Sequence, residues 1–217
     1  MSKNREKTYT SETTDVTFDP ARCIHSENCV RTLPAVFDVG KRPWIQPDKA
    51  SAEAVARAVT LCPTGALRYR SESVPPEPVP PENTLRVAAG GPVYVWGDLL
   101  LNDHDGEPLA RETRLALCRC GASGTKPLCN GAHTDLEDLD LPGSLGDGGL
   151  RDDGSAETTL TLQPKRNGPM IVTGKLTLLS ENGNTTLSGT RTALCRCGRS
   201  SNKPFCDGSH AREGWRE

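Results

Sequence analysis

Residues 91–133 align without a gap onto residues 168–210, at a constant offset of 77, with identity at 21 of the 43 positions. Each copy ends in a cluster of soft metal ligands. The first carries Cys118, Cys120, Cys129 and His133, and the second carries Cys195, Cys197, Cys206 and His210. Both read C-x-C-x8-C-x3-H. Whatever the first copy folds into, the second folds into as well, so the chain is expected to hold two equivalent metal centres.

Composition says why such centres are needed. Of 217 residues only 35% are hydrophobic and 4% aromatic, while Gly (21) and Pro (17) are abundant. A chain like this cannot build one large apolar core and relies on small sub-domains held by something besides burial, for which bound metal is one means. Nine cysteines, an odd number, argue against a complete disulfide framework. The opening Met-Ser-Lys-Asn-Arg-Glu-Lys begins no apolar stretch of the signal-peptide kind. No run approaches the ~18 apolar residues that span a bilayer. A soluble, reduced, cytoplasmic protein is the expectation, and in that compartment clustered cysteines mean metal or redox chemistry. The mild net charge of −2 suggests neither a nucleic-acid footprint nor an anionic-membrane patch.

Along the chain the expected class is α+β. Residues 1–14 are polar and patternless and are expected to be disordered. In residues 15–70, Val16-Thr-Phe18, Ala35-Val-Phe37, Trp44-Ile45 and Leu67-Arg-Tyr69 read as short strands. Ser51 caps a helix whose Ala and Val residues up to Leu61 supply a buried face. The β-α-β-β-α-β order expected of this segment is that of a ferredoxin-like unit. Residues 71–84 are a linker, with five prolines among the twelve residues Ser71–Glu82. The first repeat domain, 85–133, contains strand-like Val93–Trp96 and Leu99–Leu101 with a hairpin turn at Asp105-Gly106, and Leu115–Leu117 carries the chain into the cysteine loop. An acidic, Gly-rich connection, 134–158, precedes the second domain, 159–217, where Asn182-Gly183 stands at the matching turn.

Three thiolates and one imidazole admit two kinds of metal. A single Zn²⁺ takes Cys₃His in a closed tetrahedral site. A [2Fe–2S] cluster takes four ligands, two per iron. The C-x-C pair favours the cluster, since C-x2-C is the usual zinc spacing. Gly121 and Gly131 suit a backbone wrapped closely around an inorganic core.

The stretch Cys206-Asp-Gly-Ser-His210, preceded by Cys195-x-Cys197, Ser200 and Lys203-Pro204, resembles the CDGSH iron–sulfur domain. Cys129-Asn-Gly-Ala-His133 is a close variant of it. The resemblance implies one redox-active [2Fe–2S] cluster per repeat, the C-x-C pair holding the inner iron and the later Cys and His the outer one. Asn130 for Asp and Ala132 for Ser depart from the motif but spare every ligand. Single-domain members of the family dimerise through swapped strands around two clusters, so two equal repeats imply a monomer that forms a pseudo-two-fold arrangement within one chain. One imidazole per cluster removes negative charge and raises the reduction potential. It must also be deprotonated to bind, so mild acid competes with iron.

The remaining cysteines, Cys23, Cys29 and Cys62, form C-x5-C-x32-C-P. This resembles a single-cluster bacterial ferredoxin in which the middle cysteine of C-x2-C-x2-C is absent. Ser26 stands in the vacant position and His25 precedes it. Together with Phe37-Asp-Val and Arg42-Pro-Trp44-Ile, the segment is similar to the divergent mono-cluster ferredoxins found fused to CDGSH domains. The resemblance implies a [3Fe–4S] cluster, or a [4Fe–4S] cluster completed by a non-cysteine ligand; three thiolates alone favour the first.

Other residues carry plainer expectations. His104 is expected in an exposed turn, and Trp44, Trp96 and Trp215 as packing residues. Arg119 and Arg196 are either solvated loop side chains or groups that raise the potential or guide an acidic partner. Lys126 and Lys203 are candidate hydrogen-bond donors near the cluster. No phosphate loop, nucleophile elbow or metalloprotease helix is present. The expected function is therefore non-enzymatic: one-electron transfer or redox and pH sensing with an external redox partner protein. The alternatives are cluster storage and transfer to an acceptor apoprotein, and a zinc-stabilised interaction module. No nucleic acid or membrane enters any of these readings.

Overall fold

The computed structural model describes residues 6–137 and 139–217. The chain divides into two compact units between Pro78 and Val79, inside the proline-rich segment.

The first unit is a three-stranded antiparallel sheet in the order β1-β2-β3, with β1 at Lys7–Tyr9, β2 at Thr14–Phe18 and β3 at Leu67–Ser71. Two helices accompany it, α1 (Asn28–Thr32) and α2 (Ala52–Thr60). Ser51 caps α2, its Oγ accepting from Ala54 N–H, and Val55, Ala58 and Val59 face the core with Val16, Phe37, Ile45 and Leu67. Two expectations need correcting. Lys7–Tyr9, assigned to a disordered N-terminus, is an ordered strand paired to β2, because Tyr9 buries its ring beside Trp44. Residues 1–5 lie outside the described residues. Ala35–Phe37 and Trp44-Ile45 do not form strands; they meet in a single bridge, Phe37↔Ile45, so the β-α-β-β-α-β order is absent among the described residues. These segments use their apolar residues to fill the core and are too short to extend a ladder.

The second unit is a seven-stranded sheet. Its strands are β4 (Thr84–Val87), β5 (Val93–Asn102), β6 (Pro108–Leu117), β7 (Leu150–Arg151), β8 (Leu160–Pro164), β9 (Met170–Leu179) and β10 (Thr186–Leu194). Each repeat contributes a long antiparallel hairpin, β5–β6 and β9–β10. Along β5 and β9 burial alternates residue by residue, as a half-buried strand requires. The two strand segments expected at 93–96 and 99–101 are one strand, bent at Gly97, where the register shifts.

A shorter strand precedes each hairpin, and its pairing crosses between repeats. β4 pairs with its own β5 antiparallel and with β9 parallel, and β8 pairs with its own β9 antiparallel and with β5 parallel. The exchange is reciprocal in register: Thr84↔Thr177 and Leu85↔Leu178 correspond, at the offset of 77, to Thr161↔Leu100 and Leu162↔Leu101. One core results, with Leu85, Val95 and Leu99 from one repeat packed among Leu162, Val172 and Leu178 from the other. The acidic connection is not wholly irregular, since Leu150–Arg151 pairs with β10; Asp138 within it lies outside the described residues.

Candidate metal centres

The long hairpins end where the ligands begin. β6 runs into Cys118, and a bridge between Leu117 and Leu128 pins the far side of the loop. Cys118 N–H donates to Pro127 O at 2.9 Å, and Cys129 N–H donates to Ala116 O at 2.8 Å. The second repeat has the matching set: Leu194↔Phe205, Cys195 N–H to Pro204 O, and Cys206 N–H to Ala193 O, both bonds 2.8 Å. Beyond the third cysteine, Gly131 and Gly208 adopt positive φ and open short helical turns, Ala132–Asp135 and α3 (Ser209–Arg212), that carry His133 and His210 back towards it.

In both copies the four donors fall into two pairs. Cys118 and Cys120 place their Sγ atoms 3.6 Å apart, and Cys195 and Cys197 place theirs 3.7 Å apart. Nδ1 of His133 lies 3.3 Å from Cys129 Sγ, and Nδ1 of His210 lies 3.3 Å from Cys206 Sγ. Two donors on one tetrahedral metal, at bonds of about 2.0–2.3 Å, stand roughly 3.3–3.8 Å apart. Each pair therefore has the span of two ligands on one iron. Among the described residues, no three His, Cys, Asp or Glu side chains group closely enough to hold one ion. The residues present fit a two-metal cluster with two ligands to each metal.

The loops are held by repeated polar contacts. Ser123 Oγ donates to Leu128 O at 2.7 Å and Ser200 Oγ to Phe205 O at 2.6 Å. Lys126 Nζ donates to Ser123 O and Lys203 Nζ to Ser200 O, so the two lysines tie loop backbone. A Cβ on Gly121 would stand 2.5 Å from Cys197 O, and one on Gly198 would stand 2.3 Å from Cys120 O. The two ligand loops thus touch each other through glycines.

The electrostatics show what binding must overcome. Cys118 and Cys120 share a hydrogen bond that holds the Cys118 thiol down at about 6 and drives Cys120 up. Burial pushes Cys129 and Cys197 to about 11 and raises Cys206. Burial, then the nearby Arg119 charge, lowers His133. Arg119 and Arg196 are almost fully buried, which overturns the reading of them as solvated loop side chains. Trp215 lies over Arg196 and packs against Cys195 and Cys197. Trp96 lies beside Tyr94. His104 does sit in the turn after β5, but its imidazole is only 31% exposed and lies 3.6 Å from Glu217. Sequence reasoning missed Glu217, which lies beyond the aligned repeat.

In the first unit, Cys23, Cys29 and Cys62 line one cavity of about 700 Å³, together with His25 and Ser26. The cysteines lie close enough for their charges to act on one another, and burial raises Cys23 and Cys29. Main-chain N–H groups of His25 and Val30 point at Cys23 and Cys29 respectively. His25 and Glu27 both hold positive φ, unusual for non-glycine residues and frequent where backbone is shaped around a ligand. The aromatic side of this unit is a packing cluster, with Trp44 edge-on to Tyr9 and Phe18.

Comparison with known proteins agrees with this geometry. The family described as iron-binding zinc finger, CDGSH type, matches residues 90–134 and 167–211. The family described as divergent 4Fe-4S mono-cluster matches residues 9–72. The uncharacterized protein YjdI of Escherichia coli K12 is 45% identical over 62 residues, which are 29% of this chain and 82% of that protein. YjdI of E. coli O157:H7 matches to the same extent. No solved structure matches. The chain is thus an iron–sulfur protein that belongs to the divergent 4Fe-4S mono-cluster family through its N-terminal domain and carries two CDGSH-type iron-binding repeats behind it.

Proposed function

We propose that this protein is a non-catalytic one-electron carrier or redox and pH sensor. Cys118, Cys120, Cys129 and His133 would hold one [2Fe–2S] cluster, and Cys195, Cys197, Cys206 and His210 a second. Cys23, Cys29 and Cys62 would hold a third cluster, of the [3Fe–4S] or [4Fe–4S] type. The observation that carries the reading is the two-plus-two grouping of donors in each repeat. When bound, each cluster would supply a site that takes up and releases one electron.

The chain's own residues set the conditions. Cys118, Cys195 and Cys197 are buried, while Cys120, His133, Cys206 and His210 keep partial exposure. Raised thiol pKa values mean that loading a site releases protons, so acid weakens it. The reciprocal strand pairing supports a monomer with a pseudo-two-fold arrangement of its repeats. In the first unit, His25 or Ser26 would supply any fourth ligand, since both line the cavity with the cysteines. Among the described residues no helix is long and apolar enough to cross a membrane, in keeping with a cytoplasmic setting.

A second reading, cluster storage and delivery to an acceptor apoprotein, is favoured by the partial exposure of the histidine side of each site. Anaerobic quantitation of iron, sulfide and zinc, with EPR of oxidised and reduced protein, tests the assignment. Iron and sulfide with two [2Fe–2S] signals are expected; a colourless protein with stoichiometric zinc would refute it. Incubation with an apo-ferredoxin separates the two iron–sulfur readings, because a carrier is reduced reversibly and keeps its clusters.

A further inference from the structure

Arg119 and Arg196 hold matched places between the paired cysteines and are 1% and 2% exposed. Two of their partners match as well. Arg119 donates to the carbonyls of Ala88 and Gly91, and Arg196 to those of Lys165 and Gly168, each 77 residues further on. The third partner breaks the match. Arg119 donates to the carbonyl of Pro142 at 3.0 Å, whereas Arg196 donates to the side-chain carboxylate of Glu217. Glu217 is held in place on its other sides. Its main-chain N–H donates to Asn167 Oδ1 at 3.0 Å, and its second carboxylate oxygen lies 3.6 Å from His104 Nε2.

The repeats therefore place the same buried cation in two electrostatic settings. The charge of Arg196 is cancelled by a carboxylate in direct contact. That of Arg119 meets carbonyl dipoles, with Asp140 and Glu181 acting on it only through space. Buried charges are weakly screened, so this difference reaches neighbouring groups. Arg119 acts first on Cys195 of the other repeat, then on Cys120, and also on His133 of its own, so its charge reaches both sites. Uncancelled positive charge favours the reduced, more negative form of a redox centre and raises its potential.

We propose that Glu217 sets the two repeats apart: by neutralising Arg196, while Arg119 keeps its charge, it gives the set Cys195, Cys197, Cys206 and His210 and the set Cys118, Cys120, Cys129 and His133 different reduction potentials. Electrons entering the pair then collect at the site of higher potential. This rests on the reading of both sites as [2Fe–2S] holders. Glu217 would act through Arg196 as a positioning residue, without touching the cluster.

The test is an EPR-monitored redox titration of the anaerobically purified full chain after its iron and sulfide have been counted. The parent protein is expected to show two distinct [2Fe–2S] potentials. In Glu217→Gln, which keeps a hydrogen-bond acceptor but loses the charge, the lower potential rises towards the higher one, which stays in place. Glu217→Asp retains most of the separation. Clusters that share one potential in the parent overturn the inference, whether or not the variants fold. So does an E217Q protein in which the lower potential stays, falls, or moves together with the higher. Absence of iron and sulfide from the parent would instead remove the cluster reading beneath it.

Discussion

Nδ1 of His133 and of His210 faces a cysteine sulfur, and an imidazole can serve as a ligand only through an unprotonated nitrogen. The sign of the pH response follows. A proton competes with iron for the imidazole as pH falls, and the raised pKa of Cys129 and Cys206 adds competition at the thiolates. The lowered pKa of His133 delays this competition at the first site relative to a free imidazole. We expect visible absorbance to fade once pH drops below about 6. His210→Cys should preserve the second site's share of that absorbance at pH 5 and lower its potential, both read by spectroelectrochemistry. Full absorbance after long incubation of the parent at pH 5 would count against histidine ligation. Ser200 offers a structural counterpart. Its Oγ donates to Phe205 O and accepts from Asn202 N–H inside a buried loop. Ser200→Ala strands both groups, at a cost of about 1–3 kcal/mol. Chemical denaturation should register that loss, with faster bleaching of the loaded protein. The candidate ligands stood out by their spacing, and the structure brings them together in pairs. The burial of Arg119 and Arg196 was not legible, since an arginine between two loop cysteines reads as solvent-facing until its carbonyl partners are known.

At the level of elements, the ligand loops stay close because Gly121 and Gly198 bear no side chain. Gly198→Ala would drive a methyl group into Cys120 O at 2.3 Å, from a backbone with φ of 78°. That oxygen belongs to the other repeat's ligand loop. A single substitution in the second loop is therefore expected to reduce iron at both repeats, measurable as a fall larger than one cluster's share per chain. Loss confined to one cluster would show that the loops act separately. The hairpins themselves were readable: alternation marks β5 and β9, and Asp-Gly and Asn-Gly mark their turns. Asp103 Oδ1 closes the first turn by accepting from Asp105, Gly106 and Glu107, each at 2.9 Å. The short strands β4 and β8 went unread because four or five residues of mixed polarity carry little period. Their assignment depends on distant partners, and Asn83 illustrates this. Its side chain joins Thr158 O, Lys175 O and Asp98 N–H, across three segments, and Asn83→Ala should cost roughly 2–4 kcal/mol through three lost bonds.

For the whole molecule, each unit has its own apolar core and its own cysteine set. Residues 79–217 expressed alone should keep two clusters' worth of iron and an intact β-sheet spectrum by circular dichroism. The first unit's cysteines should account for the remaining iron of the full chain. A fragment 79–217 that fails to fold would mean that the boundary at Pro78 is not energetic. The domain order was visible in composition, with proline marking one border and the repeat marking another. The N-terminal topology was misread because short apolar segments near a cysteine site resemble strands when they are only plugs for a small core.

The crossed pairing of β4 with β9 and of β5 with β8 has a consequence in time. During synthesis the first repeat leaves the ribosome with a sheet edge whose partner does not yet exist. At roughly 5–20 residues per second, the offset of 77 residues delays that partner by about 4–15 s. Through that interval Cys118, Cys120 and Cys129 are translated but their loop lacks its mate. Metal delivered early would meet half of a framework, and productive loading is expected to wait for the second repeat.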